Sequence, residues 1–223
     1  MRRILEKYDF SSVDENEALT GRIAIRSRSV DWWGFDQVLP DPDPVLRKNG
    51  QDLRVYRELT ADAHVWSCYQ SRKSGTLSSE WEIREGRRQG SSPAGRRAHH
   101  VITDLMNGLD VGQVISDLLE APFFGLSPVE IVWRAGKLWL PELLVGRPPE
   151  WFAFDDDNNL RFLSRDNRFP GEPLPDKKFL LARHHTDYLN PYGQRVLSRC
   201  FWPVVFNRGG FKLLAIFTGK FGM

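Results

Sequence analysis

The residues best equipped for chemistry in this 223-residue chain are one serine, two cysteines, two histidine pairs and a run of aspartates. Ser127 follows Gly125 in FGLSPV, but a nucleophile elbow needs G-x-S-x-G, and Val129 stands where the second glycine belongs. Ser127 therefore reads as the start of a strand behind a glycine turn. Cys68 and Cys200 lie in apolar helical contexts without a CxxC spacing, and read as buried structural thiols. Adjacent side chains point apart on a helix or strand, so His99-His100 and His184-His185 each offer one ligand to a given ion. No HExxH or cysteine partner completes such a site. Asp155, Asp157 and Asn159 match the opening of a calcium loop, yet Leu160 replaces its glycine and Asp166 its closing glutamate. An Asx-rich hairpin turn produces the same letters. Neither GxxxxGKS/T nor a post-strand GxGxxG is present, so nucleotide hydrolysis has no support. The expectation is a protein that is not an enzyme, with no cofactor and no metal.

One charged stretch remains. REGRRQGSSPAGRRAHH (84–100) holds five arginines against one glutamate, interleaved with three glycines. It reads as a basic, flexible loop in which Arg84, Arg87, Arg88, Arg96 and Arg97 could follow phosphates without reading sequence. The competing reading is a solvated loop with incidental charge, and no aromatic in it supports stacking on single strands.

The elements that would hold these residues follow from periodicity. Residues 1–43 read as an extended arm, and LPDPDPVLRKNG (39–50) as extended chain ending in a turn. Leu53, Tyr56, Leu59, Ala63 and Trp66 mark a helical stripe over 51–75, with a joint near residue 60 where Thr60 and Asp62 are cap types. Gly75 is expected to stop it, and TLSSEWEI (76–83) to be a strand. A second helical block covers about 99–120 with a break at Gly112. SPVEIVWR and KLWLPELLVGR form a hairpin across Ala135-Gly136, and RPPEWFAFDDDNNLRFLS forms another around Asp155 to Asn159. KFLLARHH (178–185) is a further strand, and a helix begins after Asn190-Pro191. Pro203, Gly209 and Gly210 make the closing segment a poor uninterrupted helix. The fold class is α+β, with helices around a central antiparallel block: arm 1–43, body 44–189, helical connector 190–223.

Composition agrees with a folded, interface-rich protein. The chain is 41% hydrophobic and 27% charged, and its eight tryptophans are an unusually large aromatic load. A net charge of +2 demands no polyanionic ligand. The run Leu213 to Thr218 near the end, free of charge and glycine, is far short of the ~20 residues of a membrane span.

The order of the phrases strongly resembles the Mu-type phage portal proteins over roughly residues 38–223. The carrying motifs are Arg72-Lys73 ahead of Trp81, then Gly125, Ser127, Glu130, Ile131 and Trp133 as G-x-S-x-x-E-I-x-W. Arg147, Pro149 and Phe152 follow as R-x-P-x-x-F, and NPYG, RGGF and KFGM close the chain. The resemblance implies a ring of copies, commonly twelve, at a capsid vertex, through which double-stranded DNA passes. It implies docking to the large terminase subunit, capsid and neck proteins, with no catalysis and no membrane. It places the protein in the bacterial host cytoplasm during assembly and in the virion afterwards. The matched part corresponds to the N-terminal, wing-forming portion, and relatives continue past KFGM into stem, clip and crown. The chain is therefore expected to be a wing fragment or a truncated prophage product, and alone a monomer or ill-defined aggregate. The alternatives are a nucleic-acid-binding module using loop 84–97, or a remnant of a decayed prophage.

Overall fold

The computed structural model describes residues 26, 38–49, 53–85, 92–136 and 138–221. Its helices are α1 (Pro44–Asn49), α2 (Arg54–Leu59), α3 (Ala63–Leu77), α4 (Pro93–Gly108), α5 (Val111–Leu118), α6 (Ala121–Phe124) and α7 (Val196–Phe221). Its strands are β1 (Leu126–Arg134), β2 (Leu140–Gly146), β3 (Phe152–Phe154), β4 (Leu160–Phe162), β5 (Glu172–Pro173) and β6 (Phe179–Arg183). The fold is α+β, as expected, and every strand pair is antiparallel.

The antiparallel β block is present as expected. It divides into two three-stranded sheets, ordered β2-β1-β6 and β3-β4-β5. Both hairpins lie where alternation placed them. β1 and β2 pair from Val129↔Gly146 to Arg134↔Leu140, with an irregularity between Val132 and Trp133 opposite Pro141. Proline is tolerated there because β2 is an edge strand. In the β3–β4 turn, Asp155 Oδ1 accepts the backbone N–H of Asp157 at 3.0 Å and of Asn159 at 2.8 Å. That carboxylate is spent on its own turn, which confirms the Asx reading over the calcium loop.

Caps fix the helix starts. Asp62 Oδ1 accepts the N–H groups of His64 and Val65, so the joint near residue 60 divides α2 from α3. Ser92 caps α4 through Gly95 N, with Pro93 in its first turn. Asp110 caps α5 through Gln113 N, which puts the break at 109–110 and not at Gly112.

Four further expectations are corrected. Residues 44–49 are helical, because Asp43 Oδ1 accepts Val45 N at 2.9 Å and Leu46 N at 3.5 Å and nucleates α1. Gly75 does not end α3, which runs on to Leu77; a helical glycine costs only about 1 kcal/mol. Residues 80–85 form neither helix nor strand and are mostly exposed, because no strand among the described residues pairs with them. The arginine-rich stretch is not one loop: α4 starts at Pro93 and takes in Arg96 and Arg97. Arg87 and Arg88 lie outside the described residues.

Two clusters form the core. Val45, Leu46, Leu53, Tyr56, Leu59, Tyr69, Phe123, Phe124, Leu197, Phe201 and Val204 join α1, α2, α3 and α6 to the first turns of α7. Leu126, Ala153, Phe154 and Tyr192 make the second, under Val38, Leu39, Leu160 and Leu181. The stretch 38–43 is stitched in here: Leu39 N donates to Phe154 O at 2.7 Å, and Tyr192 Oη donates to Leu39 O at 2.6 Å.

α7 is the C-terminal helix expected, but it runs as one 26-residue helix through Pro203 without the interruption expected there. Burial of Leu197, Phe201 and Val204 around Pro203 offsets the ~3 kcal/mol that proline costs in a helix. Beyond Val204 the helix leaves the body, and every residue from 205 to 221 is exposed.

Candidate assembly surface

Three ionic networks hold the body rigid behind its surface. The first centres on Arg195, whose side chain is 1% exposed. Its Nη1 and Nη2 donate to Asp41 at 2.7 and 2.6 Å, and its Nε donates to Phe124 O at 2.8 Å. Asp43 lies 3.4 Å from Nη1 and also accepts from Tyr56 Oη at 2.7 Å and Ser198 Oγ at 3.1 Å. Burial alone would lower the Arg195 pKa, but the Asp41 carboxylate, helped by Asp43, outweighs it and holds the pKa above its ordinary value. Burial likewise raises the Tyr56 phenol, and the neighbouring Asp43 adds to the shift. Tyr192 is pushed up to about 12, chiefly by burial.

The second network lines a cleft of about 500 Å³ between the helices and β2. Glu120 accepts from Tyr69 Oη and from Lys73 Nζ, the latter at 2.5 Å. Across the cleft Arg57 forks onto Glu150, Nε to Oε1 at 2.5 Å and Nη2 to Oε2 at 3.1 Å, and lies 4.9 Å over the Phe124 ring. Burial opposes ionisation of Glu150, yet Arg57 overcomes it and keeps that carboxyl below its usual range. Trp66 and Tyr69 stack at 5.4 Å along one wall, with Trp66 half exposed.

The third network ties the sheet together. Glu130 on β1 is gripped by Arg147 at 2.8 Å and by Lys178 at 3.1 Å. Here too burial raises the carboxyl pKa, but Lys178 and Arg147 prevail and the net shift is downward. Beside this trio is an apolar hollow of about 320 Å³, lined by Trp151, Phe152, Phe162 and Phe179.

The motif residues are distributed over these networks. Gly125 takes φ +89°, and a Cβ there would lie 2.5 Å from Tyr192 O; Gly193, at φ +78°, comes equally close to Gly125 O. Only glycine permits this crossing of two backbones. Ser127 Oγ donates to Asp117 O at 2.6 Å, so its hydroxyl anchors a helix end. Glu130 and Arg147 pair, Ile131 is buried, and Trp133 Nε1 donates to Lys177 O at 3.0 Å. Pro149 lines the cleft, and Phe152 meets Phe179 edge-on at 5.3 Å. Lys73 holds Glu120, whereas Arg72 is exposed and Trp81 is 53% exposed in the segment 80–85.

Arg84 is exposed and pairs with Glu82, while Arg96 and Arg97 are exposed in the first turns of α4. His99 and His100 lie on α4 with separate partners, Ile83 O and Asp104, whereas the second pair departs from the geometry expected of neighbours. His185 adopts φ +48°, and its ring meets that of His184 at 4.2 Å. Among the described residues no three His, Cys, Asp or Glu side chains are placed to share a metal. Cys200 is half-buried and its thiol pKa is raised, chiefly by burial. Cys68 is exposed on α3, against the buried thiol expected, with Sγ 3.9 Å from His64 Nε2.

Sequence reasoning missed Arg195, Asp41 and Asp43. The signal was the cap-type aspartates of DPDP just ahead of a helix, which read instead as arm.

What the surface offers is aromatic. Trp66, Trp81, Trp139, Trp151 and Trp202 are each 46–67% exposed, and Phe206, Phe211, Phe217 and Phe221 of α7 are 60–72% exposed. Large exposed apolar patches mark interaction sites. No helix among the described residues is long and apolar enough to cross a membrane. A comparison with curated proteins finds no match. The family model described as the portal protein of Mu bacteriophage matches residues 53–223, from the start of α2 through the whole of α7. The rigid body, its motif-bearing networks and this match agree, and the chain belongs to the Mu bacteriophage portal protein family.

Proposed function

We propose that the chain builds the wing-type body of a portal ring at a capsid vertex, working by assembly and not by catalysis. The observation that carries this reading is α7, which leaves a firmly packed body and exposes aromatic residues over 205–221. A helix apolar over most of its surface is stable in water only when covered. In a ring the neighbouring subunits supply the cover. DNA, the large terminase subunit, and capsid and neck proteins are the partners this role entails, first in the host cytoplasm and then in the virion. Contact with DNA phosphates is assigned to Arg84, Arg87, Arg88, Arg96 and Arg97; exposure of Arg97 near the positive end of the α4 dipole supports it. Sedimentation velocity over a dilution series tests the reading. Association that grows with concentration supports it, in place of the monomer or ill-defined aggregate expected from the sequence, and a chain that stays monomeric throughout refutes it.

A further inference from the structure

Within the exposed part of α7, Val205, Phe206, Phe211, Leu214, Phe217 and Phe221 are 40–72% exposed. At about 100° per residue they cover roughly two-thirds of the helix circumference. The charges among them are Arg208, Lys212 and Lys220, with no Asp or Glu anywhere in the helix. Arg208 is engaged at home, where Nη2 donates to Glu58 O at 3.3 Å. A second α7 laid alongside would set cations against cations, a costly arrangement when desolvated. The surface that fits is both apolar and anionic.

The chain carries such a surface in residues 80–85, EWEIRE. The segment forms neither helix nor strand, pairs with no strand among the described residues, and exposes Glu80, Trp81 and Glu82. Two glutamates therefore flank one exposed tryptophan, an anionic and aromatic surface within three residues. Glu82 pairs with Arg84, but both are well exposed, and such surface pairs yield readily to a better partner. His99 already engages Ile83 O at 3.0 Å, which leaves the Trp81 side chain to present outward. Among the described residues, the acidic run 155–157 spends Asp155 on its own turn and on Arg161.

We propose that α7 of one subunit seats the Glu80–Glu85 segment of a second copy. Trp81 packs among the α7 phenylalanines, and Glu80 and Glu82 meet Lys212 and Lys220, whose long stems reach around the helix. Both surfaces are exposed within one subunit, so the contact lies between subunits. Donor and acceptor patches differ, which makes it head-to-tail and able to close into a ring. The inference rests on the portal reading and names the contact that reading requires.

Sedimentation velocity of the 223-residue chain tests it, with circular dichroism confirming that each variant is folded. Trp81→Ala is expected to weaken self-association by at least about tenfold. The pair E80K/E82K and the pair K212E/K220E should each weaken it, and mixing the two charge-reversed proteins should restore association. If wild type associates but ignores W81A and both reversals, or the reversed proteins fail to rescue each other, this contact is wrong while the ring reading stands. A monomeric wild type overturns both.

Discussion

Arg195 and Asp41 are joined by two hydrogen bonds of 2.6 and 2.7 Å, with the guanidinium almost completely withdrawn from water. This pair fastens the segment before α1 to the entry of α7, 154 residues away in sequence. It sets the base from which the exposed helix projects. Replacing Arg195 by Leu would leave Asp43 buried with only hydroxyl donors beyond its own cap, and Asp41 without its fork. Loss of one partner of a buried pair costs about 3–5 kcal/mol, so R195L is expected to lower the urea midpoint severely. A shift under about 1 kcal/mol would show that the pair is dispensable.

Gly125 and Gly193 cross with backbones too close for any Cβ. Gly125→Ala adds a methyl 2.5 Å from a carbonyl oxygen at a left-handed φ, where strain alone costs about 1–3 kcal/mol. Denaturant unfolding of G125A should show at least that loss. Gly75→Ala is the control, since nothing lies within 4 Å and the site is helical; it should be neutral or stabilising by up to about 1 kcal/mol.

Acid should loosen the body before alkali does. Glu130 and Glu150 both have pKa values lowered in the folded state, so the stability they supply is present above the unfolded carboxylate pKa and lost as pH falls through the folded values. Urea unfolding measured from neutral pH downward should decline below the ordinary glutamate range. Glu130→Gln should flatten part of that slope. Tyr192 acts in the opposite direction: its phenol is raised to about 12, so its contribution is whole below the unfolded value near 10 and lost as pH rises through about 12.

Phosphate contact by the arginines of α4 predicts a salt signature. Fluorescence anisotropy with duplex DNA should give an affinity that falls linearly on a log–log plot against salt. The double variant R96Q/R97Q should reduce that slope by about 2, one per lost contact. An unchanged slope would remove α4 from the DNA-contacting surface.

Much of this architecture was legible in the sequence where a local rule acts alone. Ala135-Gly136 between alternating runs placed the β1–β2 hairpin, Asp155 to Asn159 placed the second turn, and Asp62 placed the α2–α3 joint. The errors arise where tertiary contacts override propensity. Pro203 should interrupt α7, but Leu197, Phe201 and Val204 are buried on either side of it and the helix continues. TLSSEWEI has strand composition, yet α3 takes its first two residues and no strand among the described residues pairs with the rest. The Arg195 network was invisible because its members are distant in sequence and individually ordinary. The resemblance located Glu130 and Arg147, and the structure supplied their relationship, an ion pair across the β1–β2 edge.

The central claim is that residues 205–221 of α7 are exposed in one subunit and covered in the assembly. Hydrogen exchange by mass spectrometry, comparing dilute with associated protein, measures this directly, because a projecting helix opens locally until it is packed. Peptides spanning 205–221 and 80–85 should gain protection on association, while the buried turn at Gly125 is unchanged. Association with protection gained elsewhere and none along α7 would contradict it.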